Sequence, residues 1–368
     1  YYIDLLKTNE EEKIEQLNLN KQENRYIFFD DITQLISNFK GKMKAIGGFN
    51  NLIDNSSAEK QAVETSYAYF IQFILYKVLV DNGYKKFNDE YNKILNKIQK
   101  ALLDKDFYSI IISEIKNISE YISSNIYKPF AEEQKSINKK LIDNLKGEID
   151  IDDISPWLDI IIFINRYNFS GIKNEIFGFI YENYLKDLYQ DKNKGQYFTD
   201  PAVVNFMLKE IGYTEDYLKE ASDDEISLID VSCGAGTFLY SAVDKIINTF
   251  DDGSLDTSKK IEELIDKNIF GLDIEEFPLY LAEMNILMRM LPLIVNDNYE
   301  NPIDNKLKIF KTKDSISEFL ETGINSLSDE ELDLFSHIQK TALDYPSFMR
   351  DEKDLEDMLL SLKGNGEP

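Results

Sequence analysis

The stretch Leu228–Leu239, LIDVSCGAGTFL, constrains the fold more than any other part of the chain. A short apolar run, SLIDV, enters a turn of small residues that carries Gly234 and Gly236. FLYSAVDKIINTF follows, with apolar residues at helical spacing. After the loop DDGSLDTSKK the alternation continues: KIEELIDKN as a helix, IFGLDI as a second strand, PLYLAEMNILMRMLPLI as a helix, and KLKIFKTKD as a third strand ending at Asp314. Strands that alternate with helices in this way predict a parallel sheet with right-handed crossovers.

Upstream the period is different. ITQLISNF, YFIQFILYKVLV, YNKILNKIQKALL and SIIISEIKNISEYI each space apolar residues at three and four, so residues 1–150 read as an α-helical domain. Gly47, Gly48 and NNLIDNSSAEK mark a loop, with Ser56 or Ser57 as the N-cap before Ala58. The acidic GEIDIDDISPW, punctuated by Pro156, reads as a turn and a domain boundary. NEIFGFIYENYLKDLY then reads as a helix within a connector, 151–190, and QDKNKG as a polar loop. Asp200 before Pro201 reads as an N-cap and first turn.

Composition excludes several chemistries. A single cysteine, Cys233, rules out an internal disulfide framework and fits a reducing compartment. A single histidine, His337, leaves no His-based metal site and no Ser-His or Cys-His pair. There is no signal-peptide pattern at the start, and the longest apolar run, interrupted by Gln72 and Lys77, is too short and too polar to span a bilayer. The formal net charge of −26 opposes a nucleic-acid surface, which needs Lys and Arg to displace counterions. The Lys-rich KSINKKLIDNLKG and KLKIFKTK read as solvated faces. The first residue is Tyr, so the chain is expected to be processed or a piece of a longer one.

Ligands of open parallel sheets bind at the carboxyl ends of the strands, where helix N-termini present free amides. Here the first strand ends in Asp230 before the Gly-x-Gly turn, the second in Asp273 and the third in Asp314. The third glycine of a dinucleotide fingerprint is absent, since that position is Leu239, so a nicotinamide dinucleotide is disfavoured. Alone, Asp273 fits a helix-capping acid as well as a ribose ligand, and Asp314 fits an N-cap as well as a partner for an adenine amino group. Together, three acids at three consecutive strand ends describe a pocket for an adenosine with an amino-acid tail.

GQYFTDP, LIDVSCGAGTFL and NIFGLDIEEFPLYLAEMNILM resemble the cofactor half of the adenine-N6 DNA methyltransferases of restriction–modification systems, both Type I modification subunits and single-chain Type IIG enzymes. NEIFGFIYENYL resembles the segment that precedes that half, and the resemblance covers roughly residues 160–320. It implies a Rossmann-like class I methyltransferase domain over 191–368, present as the first half of its parallel sheet, that binds S-adenosylmethionine. By the same resemblance Tyr197, Phe198 and Thr199 would contact the methionine end of the cofactor. Asp230, Ser232, Gly234 and Gly236 would shape the pocket around that end, with Thr237 and Phe238 behind. Asp273 would bind the ribose hydroxyls, Ile274 would pack on the adenine, and Asp314 would meet its amino group. The implied partners are double-stranded DNA, mainly through regions outside this chain, and specificity or nuclease subunits. The implied setting is the prokaryotic cytoplasm, with no membrane.

The chain departs from the family in two places. Asp200 intervenes between Thr199 and Pro201, and Asp230-Val231-Ser232-Cys233-Gly234 stands where the family has Asp-Pro-Ala-Cys-Gly. Neither change removes a charge or a glycine. Cys233 reads as a packed small residue rather than a nucleophile, because no Pro-Cys pair exists. The family's catalytic Asn/Asp/Ser-Pro-Pro-aromatic tetrad is absent from the sequence, so no catalytic residue is assigned and a longer parent enzyme is expected. Two alternatives stay open: a methyltransferase of another acceptor class, protein glutamine or a small molecule, and a non-catalytic nucleotide-fold scaffold.

Overall fold

Every residue from Ser66 to Val80 is buried, and this stretch is the axis of the first of two units in the computed structural model. The structure describes residues 2–6, 16–46, 55–104, 107–131, 135, 151–170, 199–223, 225–294, 302–303 and 306–312. The described residues up to Ser170 belong to one compact unit and those from Thr199 onward to another.

In the first unit α1 (Gln22–Ile46), α2 (Asn55–Asp81), α3 (Lys85–Ala101), α4 (Phe107–Asn125) and α5 (Ile151–Arg166) pack around α2, which touches the other four. A helix that is apolar on all sides belongs in the middle of such a bundle. Two of its buried polar side chains differ in their surroundings. Lys77 forms an ion pair with Asp81 and donates to the Tyr167 carbonyl at 3.2 Å. Gln72 is buried, and neither its Nε2 nor its Oε1 has a partner. A two-residue parallel pairing of β1 (Leu17–Asn18) with β2 (Tyr167–Asn168) closes the unit, held by Asp31, whose Oδ2 accepts from Arg166 Nη1 and Tyr167 Oη at 2.6 Å each.

Three sequence expectations change. GEIDIDDISPW is no turn where it is described, because Ile151–Arg166 is helical with Pro156 inside it. Ile154, Trp157, Leu158, Ile161 and Ile164 are fully buried at helical spacing, and their burial outweighs the one backbone hydrogen bond that proline removes. This helix, read as part of a connector, packs against α1, α2 and α4 in the first unit. Ser56 and Ser57 lie inside α2 rather than at its cap. Gly47, Gly48, NEIFGFIYENYLKDLY and QDKNKG lie outside the described residues.

The second unit holds α6 (Pro201–Glu210), α7 (Glu215–Glu220), β3 (Leu228–Asp230), α8 (Thr237–Phe250), α9 (Leu255–Asn268), β4 (Ile269–Asp273), α10 (Glu276–Ile294) and β5 (Ile309–Lys311). The strands form one parallel sheet in the order β3-β4-β5, with Asp230 opposite Gly271 and Asp273 opposite Lys311. Helix α6 starts as the sequence predicts: Asp200 Oδ1 accepts from Ala202 N at 2.7 Å and Pro201 occupies the first turn. DDGSLDTSKK is a loop only through Ser254, which caps α9 by accepting from Thr257 N. Helix α10 is long and apolar enough to cross a membrane, but 89% of that window is buried inside the unit, against α8, β4 and β5.

Candidate functional site

The sheet brings two of the three acids to one place. Strands β3 and β4 are adjacent and parallel, so Asp230 and Asp273 end neighbouring strands on the same side. The glycine turn lies between them and is clamped by the second strand. Cys233 N donates to Leu272 O at 2.8 Å, Gly234 N to Asp273 Oδ2 at 2.9 Å, and Gly236 N back to Cys233 O at 2.8 Å. The other oxygen of Asp273, Oδ1, accepts from Glu275 N at 3.0 Å. Asp230 Oδ1 accepts from Ser232 N at 3.1 Å.

Both glycines are required by geometry. Gly234 and Gly236 have φ of 51° and 82°, in the left-handed region. At Gly236 a Cβ would also stand 2.8 Å from Ala282 Cβ on α10. Gly271 on β4 has an ordinary φ, and a Cβ there would lie 2.6 Å from Leu239 Cδ1 and 3.1 Å from Cys233 Sγ, so the Leu239 side chain would have to shift to admit it. Cys233 is therefore packed against the strand. Burial first, then the charges of Asp273 and Asp230, push its thiol well above the ordinary range, so it is a poor nucleophile.

The Asp230 carboxyl is also pushed up, chiefly by burial and secondarily by Asp273, against the lowering effect of its bond from Ser232 N. Two carboxylates thus crowd a half-buried turn. Such a site favours a positive charge and polar hydrogens over an anion. Among the other residues singled out from the sequence, Ser232 and Ile274 are exposed beside the turn, Thr237 is buried at the start of α8, and Phe238 and Thr199 are half-buried. Tyr197, Phe198 and Asp314 lie outside the described residues. At the neighbouring strand end Lys311 donates to Glu276 Oε1 at 2.7 Å; before the start of that strand, Lys308 reaches Asp266 at 3.8 Å and lies over the Phe270 ring. Lys308 and Lys311 of KLKIFKTK, which the sequence left as a solvated face, thus offset acids of their own unit.

Sequence reasoning missed the bed beneath the turn. Asn285 of α10 is 1% exposed and donates from Nδ2 to Ala235 O at 2.9 Å. One turn on, Arg289 reaches Asp244 at 3.3 Å and stacks over Tyr240, both on α8. The available signal was an Asn inside LAEMNILM, which is apolar apart from it and Glu283.

Residues 172–314 match the model of the N-6 DNA Methylase family. Over 145 residues the chain is 28% identical to the Type I restriction enzyme EcoEI methylase subunit of Escherichia coli, an alignment that covers 39% of this chain and 27% of that subunit. The chain thus spans about a quarter of the length of this curated relative. Among solved structures, an ATP-dependent Type ISP restriction-modification enzyme, LlaBIII, bound to DNA, aligns over 84% of this chain and 19% of its own, at 16% identity and a TM-score of 0.43. The family-model match and the Type I methylase subunit bear out the resemblance to the adenine methyltransferases of restriction–modification systems, and the second unit is N-6 DNA methylase-like.

Proposed function

We propose that the second unit is the cofactor half of a restriction–modification DNA methyltransferase with a Rossmann-like sheet, which uses S-adenosylmethionine to methylate adenine N6 in double-stranded DNA. The observation that carries this reading is the pair of carboxylates around a left-handed Gly-x-Gly turn. A pyrophosphate-bearing dinucleotide would face Asp230 and Asp273 as like charges. A sulfonium and an ammonium would instead be attracted to them.

S-adenosylmethionine supplies an activated methyl group on a positively charged sulfur. The residues of this chain bind and orient it. Asp230 and the 232–236 turn would receive the methionine end, with the cofactor's carboxylate toward the N-terminal amides of α8. Asp273 would take the ribose diol. Its two oxygens already accept one backbone N–H each, which fixes the carboxylate plane and leaves lone pairs for two hydroxyls. Ile274, exposed beside it, would pack on the adenine. Tyr197, Phe198, Thr199 and Asp314 complete the proposed pocket on the strength of the resemblance alone. DNA, specificity or nuclease subunits, and a prokaryotic cytoplasmic setting belong to the same proposal.

Titration calorimetry with S-adenosylmethionine should give a saturable heat that Asp273→Ala abolishes. Digestion of DNA after incubation with the longer parent enzyme, which would carry the catalytic tetrad, and methyl-labelled cofactor should place the label in N6-methyladenine. No heat with S-adenosylmethionine overturns the cofactor reading. Heat without label in DNA overturns the substrate.

A further inference from the structure

We propose that Asn285 is a positioning residue for the cofactor turn, acting through the Ala235 carbonyl; the inference rests on the S-adenosylmethionine reading of the site. Its starting point is a buried polar side chain that the core does not need. Most of the buried residues of α10 from Phe277 to Ile294 are apolar, with Glu283 and Asn285 the polar ones, and a buried amide is unfavourable unless its groups are bonded. Asn285 is only half bonded. Nδ2 donates to Ala235 O at 2.9 Å, while Oδ1 is buried with no partner. The orientation follows from the partner, because a carbonyl can only accept and the amide must turn its nitrogen toward it.

That one bond acts at a sensitive point. The peptide joining Ala235 to Gly236 is tied at both ends: its carbonyl by Asn285, and its N–H by Cys233 O at 2.8 Å. The following residue holds φ at 82°, and the face of α10 beside it is Ala282, which a Cβ on Gly236 would meet at 2.8 Å. Ala282 and Asn285 are three residues apart, so a single stripe of α10 supports the turn by contact and by hydrogen bond. Arg289, four residues beyond Asn285, extends the stripe to α8, the helix that the turn opens. The stripe sets the direction of the peptide that leads into the N-terminal amides of α8, and those amides face the proposed methionine tail.

The test uses the full chain with S-adenosylmethionine as probe, comparing wild type with Asn285→Ala and Asn285→Asp. In Asn285→Ala the dissociation constant should rise about three- to tenfold, the worth of one net hydrogen bond, at a temperature where circular dichroism shows the variant folded. Asn285→Asp supplies a readout that a purely structural role would not move. Its buried carboxyl donates to Ala235 O only while protonated, and burial holds the proton to higher pH than usual. Its affinity relative to wild type should therefore recover as pH falls and be lost as pH rises. A variant-to-wild-type ratio that is flat with pH overturns the proposal, as does a change under twofold in Asn285→Ala, while wild type still binds. Absence of binding by wild type overturns the cofactor reading itself, and this inference with it.

Discussion

Gly236→Ala should destabilise the second unit more than Gly234→Ala, although both glycines have positive φ. An L-residue in the left-handed region costs about 1–2 kcal/mol. At Gly234 that is the whole effect, because nothing lies within 4 Å of an added Cβ. At Gly236 the added Cβ stands 2.8 Å from Ala282 Cβ and 3.1 Å from Ala282 Cα, and α10 is fixed by its burial and cannot withdraw. Overpacking of this kind adds about 1–3 kcal/mol, for a total of about 2–5 kcal/mol. Ala282→Gly supplies the internal check. Alone it costs about 1 kcal/mol of helix propensity, but combined with Gly236→Ala it removes the Cβ clash, so the cycle should show a favourable coupling of about 1–3 kcal/mol. Urea unfolding followed by far-UV circular dichroism measures this; at about 2 kcal/mol/M, a 3 kcal/mol loss moves the midpoint by about 1.5 M. The single tryptophan, Trp157, is buried in the first unit, so its fluorescence records that unit separately. Equal losses at the two glycines, or additivity in the cycle, would refute the account of α10 as the bed of the turn.

Asp230 should make the stability of the second unit depend on pH. Its folded value is raised above the ordinary 3.8, so the folded state holds the proton more tightly, and the contribution is present below 3.8 and lost as pH rises through the raised value. Asp230→Asn should flatten that part of the unfolding profile; an unchanged slope would assign it elsewhere. In the first unit Lys77→Met should cost about 3–5 kcal/mol in a Trp157 melt, because it strands a buried Asp81 without its cation. Adding Asp81→Leu should recover only part of this, since the N–H of Phe169, which donates to Asp81 Oδ2 at 2.8 Å, then loses its acceptor. Full recovery would show that this N–H contributes nothing.

The parts of this protein that were legible in its sequence are those where a side chain acts by its own pattern. Alternation and helical spacing found β3, β4, β5 and the helices between them, and Asp200 before Pro201 marked the start of α6 correctly. The failures came where burial opposed a local signal. Pro156 reads as punctuation, yet the apolar face around Trp157 draws it into a helix. Asp273 was legible as an acid at a strand end, but not as the acceptor that ties Gly234 across the sheet, because that bond depends on register. Asn285 and Ala282 were illegible for a further reason. In sequence they are core positions of a helix, and what they contribute is exerted on the backbone of residues some fifty positions earlier. A pattern reports which way a side chain faces, whereas the shape of a glycine turn is decided by what it rests on. The identity of the residues in the turn is therefore only half of the specification for this site, and the other half is one face of α10.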